Sequence, residues 1–176
     1  QVSIKAKHGG IYNLDNLNIV ITGGGTGGHL FPAIAIGEEI RNQMPNANIH
    51  YIGSIYGLES KVFPVKDLVH TLLPIKGLQR SLSIKGLLKN LILPFRIISS
   101  IIKVRSLYRD FKPGLIIGTG GYASAIPLFV ASKSNPEIPI ILQEQNSCPG
   151  LTTRLFAKKA KKICVAFDYD NINLKQ

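Results

Sequence analysis

At 176 residues and 45% hydrophobic, the chain can bury the core of one full domain. Its 21 Lys and Arg against 10 Asp and Glu leave a formal net charge of +11, which points to a polyanion or an anionic membrane surface as partner. Two cysteines, Cys148 and Cys164, exclude a disulfide framework and a zinc knuckle, no apolar run reaches the ~18 residues a membrane span needs, and no secretory signal or internal repeat is visible.

Residues 1–17 carry no pattern and read as a natural extension or a cloning remnant. From there strands and helices alternate. Ile19–Thr22 is expected as a strand and Pro32–Gln43 as a helix ended by Met44-Pro45. Ile49–Ile52 is the second strand, Leu58–Phe63 a short helix stopped by Pro64, and Leu68–Leu73 a third strand before Pro74. The stretch from Ile75 to Lys112 then interrupts the alternation. Ile84, Leu87, Leu88, Leu91 and Ile92 recur at helical spacing, and after Pro94, which should kink or restart the helix, Phe95, Ile98, Ile101 and Ile102 continue it. Its basic residues are opposed by one acid, Asp110, so it reads either as a core helix with a basic outer face or as a membrane-surface helix. Lys85, Lys89, Arg96 and Lys103 keep near one stripe, with Leu88, Leu91, Ile92 and Phe95 beside them for shallow insertion. Leu115–Ile117, Ile138–Leu142 and Ile163–Phe167 are further strands, and Gly150–Lys159 is a helix ending in a second basic cluster, Lys158 to Lys162. Cys164 lies in the last apolar run and is expected to be a buried small hydrophobe. Apolar strands spaced by helices predict an α/β protein with a Rossmann-like, doubly wound parallel sheet covered on both faces.

The stretch from Asn18 to Pro32 is the front of a βαβ unit: a β-branched strand, a glycine turn and a helix. Five of the six residues Gly23–Gly28 are glycine, more than a plain turn needs, and the helix start behind them suits a phosphate or pyrophosphate. Gly23, Gly25 and Gly28 fit the dinucleotide spacing, but no acid follows the second strand until Glu59, and a P-loop would have Lys where His29 stands. Neither NAD nor a Walker-type ATP site is therefore the first reading.

In an open parallel sheet ligands bind beyond the carboxyl ends of the strands. Those ends deliver Gly23–His29, the second glycine turn Gly118-Thr119-Gly120-Gly121-Tyr122-Ala123-Ser124, the polar run Gln143-Glu144-Gln145-Asn146, and Lys76–Arg80. Together they suggest a site for a large phosphorylated, hydroxyl-rich ligand. His29, inside a glycine turn with little core to serve, is read as a site residue. Glu144 is either a structural carboxylate bonded to backbone N–H groups or a ligand contact, Tyr122 either packs or binds, and His50 and His70 are read as packing residues.

Three motifs carry a resemblance. Gly24-Gly25-Thr26-Gly27-Gly28-His29-Leu30-Phe31-Pro32-Ala33 resembles the first glycine motif of the MurG family, Gly120-Gly121-Tyr122-Ala123-Ser124 its second, and Glu144-Gln145-Asn146 with Gly150-Leu151-Thr152 its Glu-Gln-Asn motif. The likeness runs from about residue 18 to residue 167, with the motifs in order. It implies the N-terminal half of a two-domain GT-B glycosyltransferase. The activity implied is transfer of N-acetylglucosamine from UDP-GlcNAc to the C4 hydroxyl of the muramoyl sugar of lipid I, giving the peptidoglycan precursor lipid II, with inversion and no essential metal or other cofactor. It makes His29 the candidate base and implies donor contacts by Thr26, Gly27, Gly28 and Asn146. The acceptor's pyrophosphate and sugar fall to Gly24, Gly25, Gly120, Gly121, Tyr122, Ser124, Glu144 and Gln145. The implied location is peripheral, on the cytoplasmic face of the bacterial plasma membrane, with an anionic surface rather than nucleic acid as partner. Residues 18–168 are then the acceptor and membrane-binding domain and 169–176 the start of a linker to a donor domain that this chain lacks. The alternative is a non-catalytic subunit that binds membrane lipid pyrophosphate in a split transferase.

Overall fold

The computed structural model describes residues 3–5, 11–13, 17–77, 92–134 and 138–168. Within residues 1–17, where no pattern was legible, β1 (Ser3–Lys5) and β2 (Ile11–Asn13) pair antiparallel. Six parallel strands make the main sheet: β3 (Asn18–Thr22), β4 (Asn48–Ser54), β5 (His70–Leu73), β6 (Leu115–Gly118), β7 (Ile140–Glu144) and β8 (Lys162–Val165). Their order is β5-β4-β3-β6-β7-β8, the doubly wound arrangement in which the chain starts centrally, builds to one edge, and returns to build to the other.

Alternation along each strand explains why the sheet is covered on both faces. Ile19, Ile21, Ile49, Tyr51 and Ile117 pack against Leu30, Ala33 and Ile34 of α1 (Gly27–Gln43) and Phe63 of α2 (Glu59–Val65). Val20, Ile52, Leu73, Ile116, Ile140 and Leu142 face the other way. They meet Val104 and Tyr108 of α3 (Leu93–Phe111), Ile126, Leu128 and Val130 of α4 (Tyr122–Ser134), and Phe156 of α5 (Leu151–Phe156). The period-2 pattern thus encodes two cores, one per face.

Several boundaries differ from the sequence reading. Helix α1 starts at Gly27, five residues before Pro32, so the glycine motif itself forms the first turn. Pro32 is tolerated because, near the helix start, it removes only the bond to the carbonyl of exposed Gly28. Pro64 likewise sits inside the last turn of α2 rather than ending it. The anticipated helix Gly150–Lys159 divides into α5 and a 3-10 turn, Ala157–Lys159. Helix α4 has no counterpart in the sequence reading. With Ala123, Ile126, Leu128, Val130 and Ala131 buried, it is apolar nearly all round and shows no amphipathic period. Pro94 stands in the first turn of α3, while the helical pattern expected before it lies outside the described residues. Cys164 is exposed, against expectation, because β8 is an edge strand that, among the described residues, pairs with β7 alone. His50 and His70 pack as expected, His50 against Phe111 and His70 against Phe63.

Candidate active site

Strand order reverses between β3 and β6, and the two glycine turns leave the sheet there side by side, with Thr22 in register with Gly118. The turns interlock. Gly121 has φ +78, and a Cβ there would collide with the carbonyl of Gly24. Gly25 has φ +90, and a Cβ there would collide with the Tyr122 ring. Both conditions, left-handed backbone and a neighbour in contact, require glycine.

His29 lies in the first turn of α1 and reaches across to the second glycine turn. Its Nδ1 is 3.0 Å from the carbonyl oxygen of Thr119, and the Thr119 hydroxyl donates back to the His29 carbonyl at 2.7 Å. The side-chain amide of Gln145, at the end of β7, comes within 2.6 Å of the same Nδ1. The glycine backbones of Gly120 and Gly121 lie against the ring, leaving no room there for a Cβ. Among the described residues nothing bonds Nε2, and His29 lines a cavity of about 490 Å³.

Two buried carboxylates hold the loops in place. Glu59, fully buried, accepts the N–H of Gly25 on both oxygens, at 2.9 and 3.1 Å, and the N–H of Ser54 at 2.8 Å. Glu144 accepts from the N–H and side-chain amide of Asn146, from the N–H of Gly150, and from the Thr153 hydroxyl at 2.6 Å. Burial alone would raise its pKa, but the hydrogen bonds from Thr153, Gly150 and Asn146 outweigh burial and hold it below the ordinary value. Of the two roles open to Glu144, the geometry gives the structural one: both oxygens are used inside the protein. Glu59 was noticed in the sequence only as an acid in the wrong place for ribose. Its role was not legible, because the carboxylate fills a space bounded by Gly24, Gly53 and Gly57 that only folding creates.

The sequence-predicted residues divide accordingly. His29, Gly120, Gly121, Tyr122 and Glu144 line the cavity, and Gln145 touches His29. Tyr122 packs on Gly25 and Gly77 and lines the cavity. Thr26 and Gly28 are exposed at the start of α1, where the first N–H groups have no partner within the helix. Ser124 is fully buried and donates its hydroxyl to Gly121 O at 2.9 Å, bracing the turn. The apolar cavity wall, Ile75, Leu93, Ile97, Ile126 and Leu155, was not anticipated, since it assembles from four separate segments.

Of the basic stripe, Lys85 and Lys89 lie outside the described residues, as do Leu88 and Leu91. Arg96 stacks over the Tyr56 ring at 5.2 Å and exposed Lys103 donates to Leu72 O at 3.0 Å. The face of α3 beside them is apolar and open: Phe95 is 74%, Ile98 55% and Ile102 62% exposed, while Ser100, Val104 and Tyr108 point inward. Among the described residues no helix is long and apolar enough to cross a membrane.

A family model, the glycosyltransferase family 28 N-terminal domain, matches residues 19–165. Two similar curated proteins are the UDP-N-acetylglucosamine–N-acetylmuramyl-(pentapeptide) pyrophosphoryl-undecaprenol N-acetylglucosamine transferases of Christiangramia forsetii and Phocaeicola vulgatus. The first is 42% identical over 88% of this chain and 40% of the relative, the second 44% identical over 88% and 39%. This chain therefore spans about two fifths of the length of those relatives. A crystal structure of MurG from Acinetobacter baumannii shares the fold, with a TM-score of 0.69 at 23% identity, over 86% of this chain and 42% of that one.

Proposed function

We propose that this chain, which belongs to glycosyltransferase family 28, is the acceptor-binding half of a transferase that moves N-acetylglucosamine from UDP-GlcNAc to the C4 hydroxyl of lipid-pyrophosphate-linked N-acetylmuramic acid. One observation carries the reading: His29 stands where both glycine turns meet and lines the cavity, held through one ring nitrogen while the other has no partner among the described residues.

In the proposed step the acceptor oxygen attacks the anomeric carbon from the face opposite UDP while His29 Nε2 takes the hydroxyl proton. The C1–O bond to UDP breaks, the electron pair leaves on the diphosphate, and the anomeric centre inverts. An imidazole with a free ring nitrogen suits this task, since a sugar hydroxyl is a poor nucleophile and needs a base to take its proton. Gly24, Gly25, Gly120, Gly121 and Tyr122 would border the acceptor's pyrophosphate and sugar, with Gln145 beside them. Thr26, Gly27, Gly28 and Asn146 would meet a donor held mainly by a second domain. The anionic donor and acceptor suit a helix start whose N–H groups carry partial positive charge. The open apolar face of α3, next to Arg96 and Lys103, supports a peripheral position on an anionic, cytoplasm-facing membrane surface.

Transfer from UDP-GlcNAc to a lipid I analogue tests the reading. The chain alone is expected to turn over little, and adding the donor domain of a relative, fused or in trans, should produce transfer. In that two-domain enzyme His29→Ala should lower the rate about 10²–10⁴-fold with acceptor binding little changed. Acceptor binding without any transfer in the assembled pair would instead leave a lipid-pyrophosphate-binding subunit.

A further inference from the structure

We infer that the Thr119 carbonyl and the Gln145 side chain lock His29 in the tautomer protonated on Nδ1, so that the lone pair is held on Nε2. A carbonyl oxygen only accepts, so its 3.0 Å contact with His29 Nδ1 requires a proton on that nitrogen. A protonated Nδ1 cannot also accept from an amide N–H, yet a Gln145 amide atom lies 2.6 Å away. That atom is therefore the amide oxygen. The 2.6 Å separation is also short for N–H···N and close to the range of N–H···O.

Thr119 enforces the geometry from two directions. It is fully buried, its carbonyl accepts from the ring, and its hydroxyl donates to the His29 carbonyl, tying the ring and the backbone of one residue to the same partner. Rotating the imidazole would break both ring contacts. Thr119 and Gln145 are thus positioning residues, and Gln145 acts through His29 rather than on the ligand. The assignment of the tautomer stands on geometry, while its catalytic consequence rests on the proposed base.

Histidine-selective ¹⁵N labelling of this chain reads the tautomer without any turnover, with the His29 signals identified by loss in His29→Asn. With the ring neutral, Nδ1 should show the shift of a protonated nitrogen and Nε2 that of a bare one. The opposite pattern, or averaged shifts on both nitrogens, would overturn the proposal. Gln145→Leu removes an acceptor and should move both shifts toward the average, whereas Gln145→Glu keeps an oxygen against Nδ1 and should preserve the wild-type pattern. Wild-type shifts in Gln145→Leu would remove Gln145 from the lock. In the two-domain enzyme Gln145→Leu should lower kcat about 10–100-fold, the range seen for partners that orient a functional imidazole, with KM nearly unchanged and Gln145→Glu recovering most of the loss. The locked tautomer together with full activity in His29→Ala would retain the assignment and remove the functional reading instead.

Discussion

Glu59 and Glu144 are buried carboxylates spent on backbone N–H groups, and each sits under one of the loops that shape the cavity. Their burial is sustained because the loops supply donors that water would otherwise provide. Glu144 has a pKa below its ordinary value in the fold and close to that value when unfolded. The unfolded chain therefore takes up its proton first as pH falls. The stability Glu144 contributes is complete above its ordinary pKa of 4.5 and is lost as pH drops through that value and then through the lower folded one. Glu144→Gln should cost stability near neutrality, and the gap from wild type in urea unfolding should narrow as pH is lowered from about 6 to about 3. A gap that stays constant with pH would mean that the carboxylate's charge contributes nothing. Glu59→Gln should be at least as damaging, about 1–3 kcal/mol, because an amide N–H would then face the Gly25 or Ser54 N–H.

At the scale of elements, α1 shows a packing constraint overriding helix propensity. Gly37 lies in the interior of α1, where glycine is normally worse than alanine by about 1 kcal/mol. Here a Cβ would run into the Tyr51 hydroxyl, which is buried and has no hydrogen-bond partner among the described residues. Gly37→Ala should therefore destabilise by about 1–3 kcal/mol, the cost of overpacking, reversing the sign that propensity gives. Tyr51→Phe removes the nearest colliding atom without breaking a bond but leaves the ring Cζ 2.7 Å from the added Cβ, so the double variant should recover part of the loss. Thermal or urea unfolding of the four proteins in a double-mutant cycle checks this, and simple additivity would reject it.

At the scale of the whole molecule, the proposed lipid acceptor has to reach the cavity from a membrane surface. Helix α3 packs Val104 and Tyr108, with buried Ser100 beside them, against the core and still turns Phe95, Ile98 and Ile102 outward. Leu93 and Ile97 of the same helix line the cavity, so a membrane docked on α3 would bring lipid to its wall. Charge and apolar contact should then separate experimentally. Replacing Lys85, Lys89 and Arg96 with Gln should weaken binding to anionic vesicles by about 3 kcal/mol, roughly a hundredfold, and this part should vanish as salt is raised. Phe95→Ser with Ile98→Ser should remove a part that salt does not screen, about tenfold or more. Co-sedimentation with neutral and anionic vesicles measures both, and equal binding to the two lipids in the wild type would set the charge argument aside.

The sequence by itself determined the α/β class, the doubly wound sheet and the positions of the three motifs at strand ends. All of these rest on signals that are local along the chain: β-branched runs, glycine turns, and periods of two and 3.6. It also named His29, because a histidine inside a glycine turn is anomalous on its face. Only the tertiary structure decided what holds that histidine. Thr119 and Gln145 are 90 and 116 residues away from it in sequence, and become neighbours because β6 pairs with β3 and β7 with β6 in the sheet order. The same holds for Glu59 under the first glycine turn, for Ser124 facing inward, and for Cys164 on an open edge. A pattern states which face of an element is buried, but not which element covers it. Helix α4 lacks even that first signal, since a helix covered on nearly every side has no polar face to give it a period.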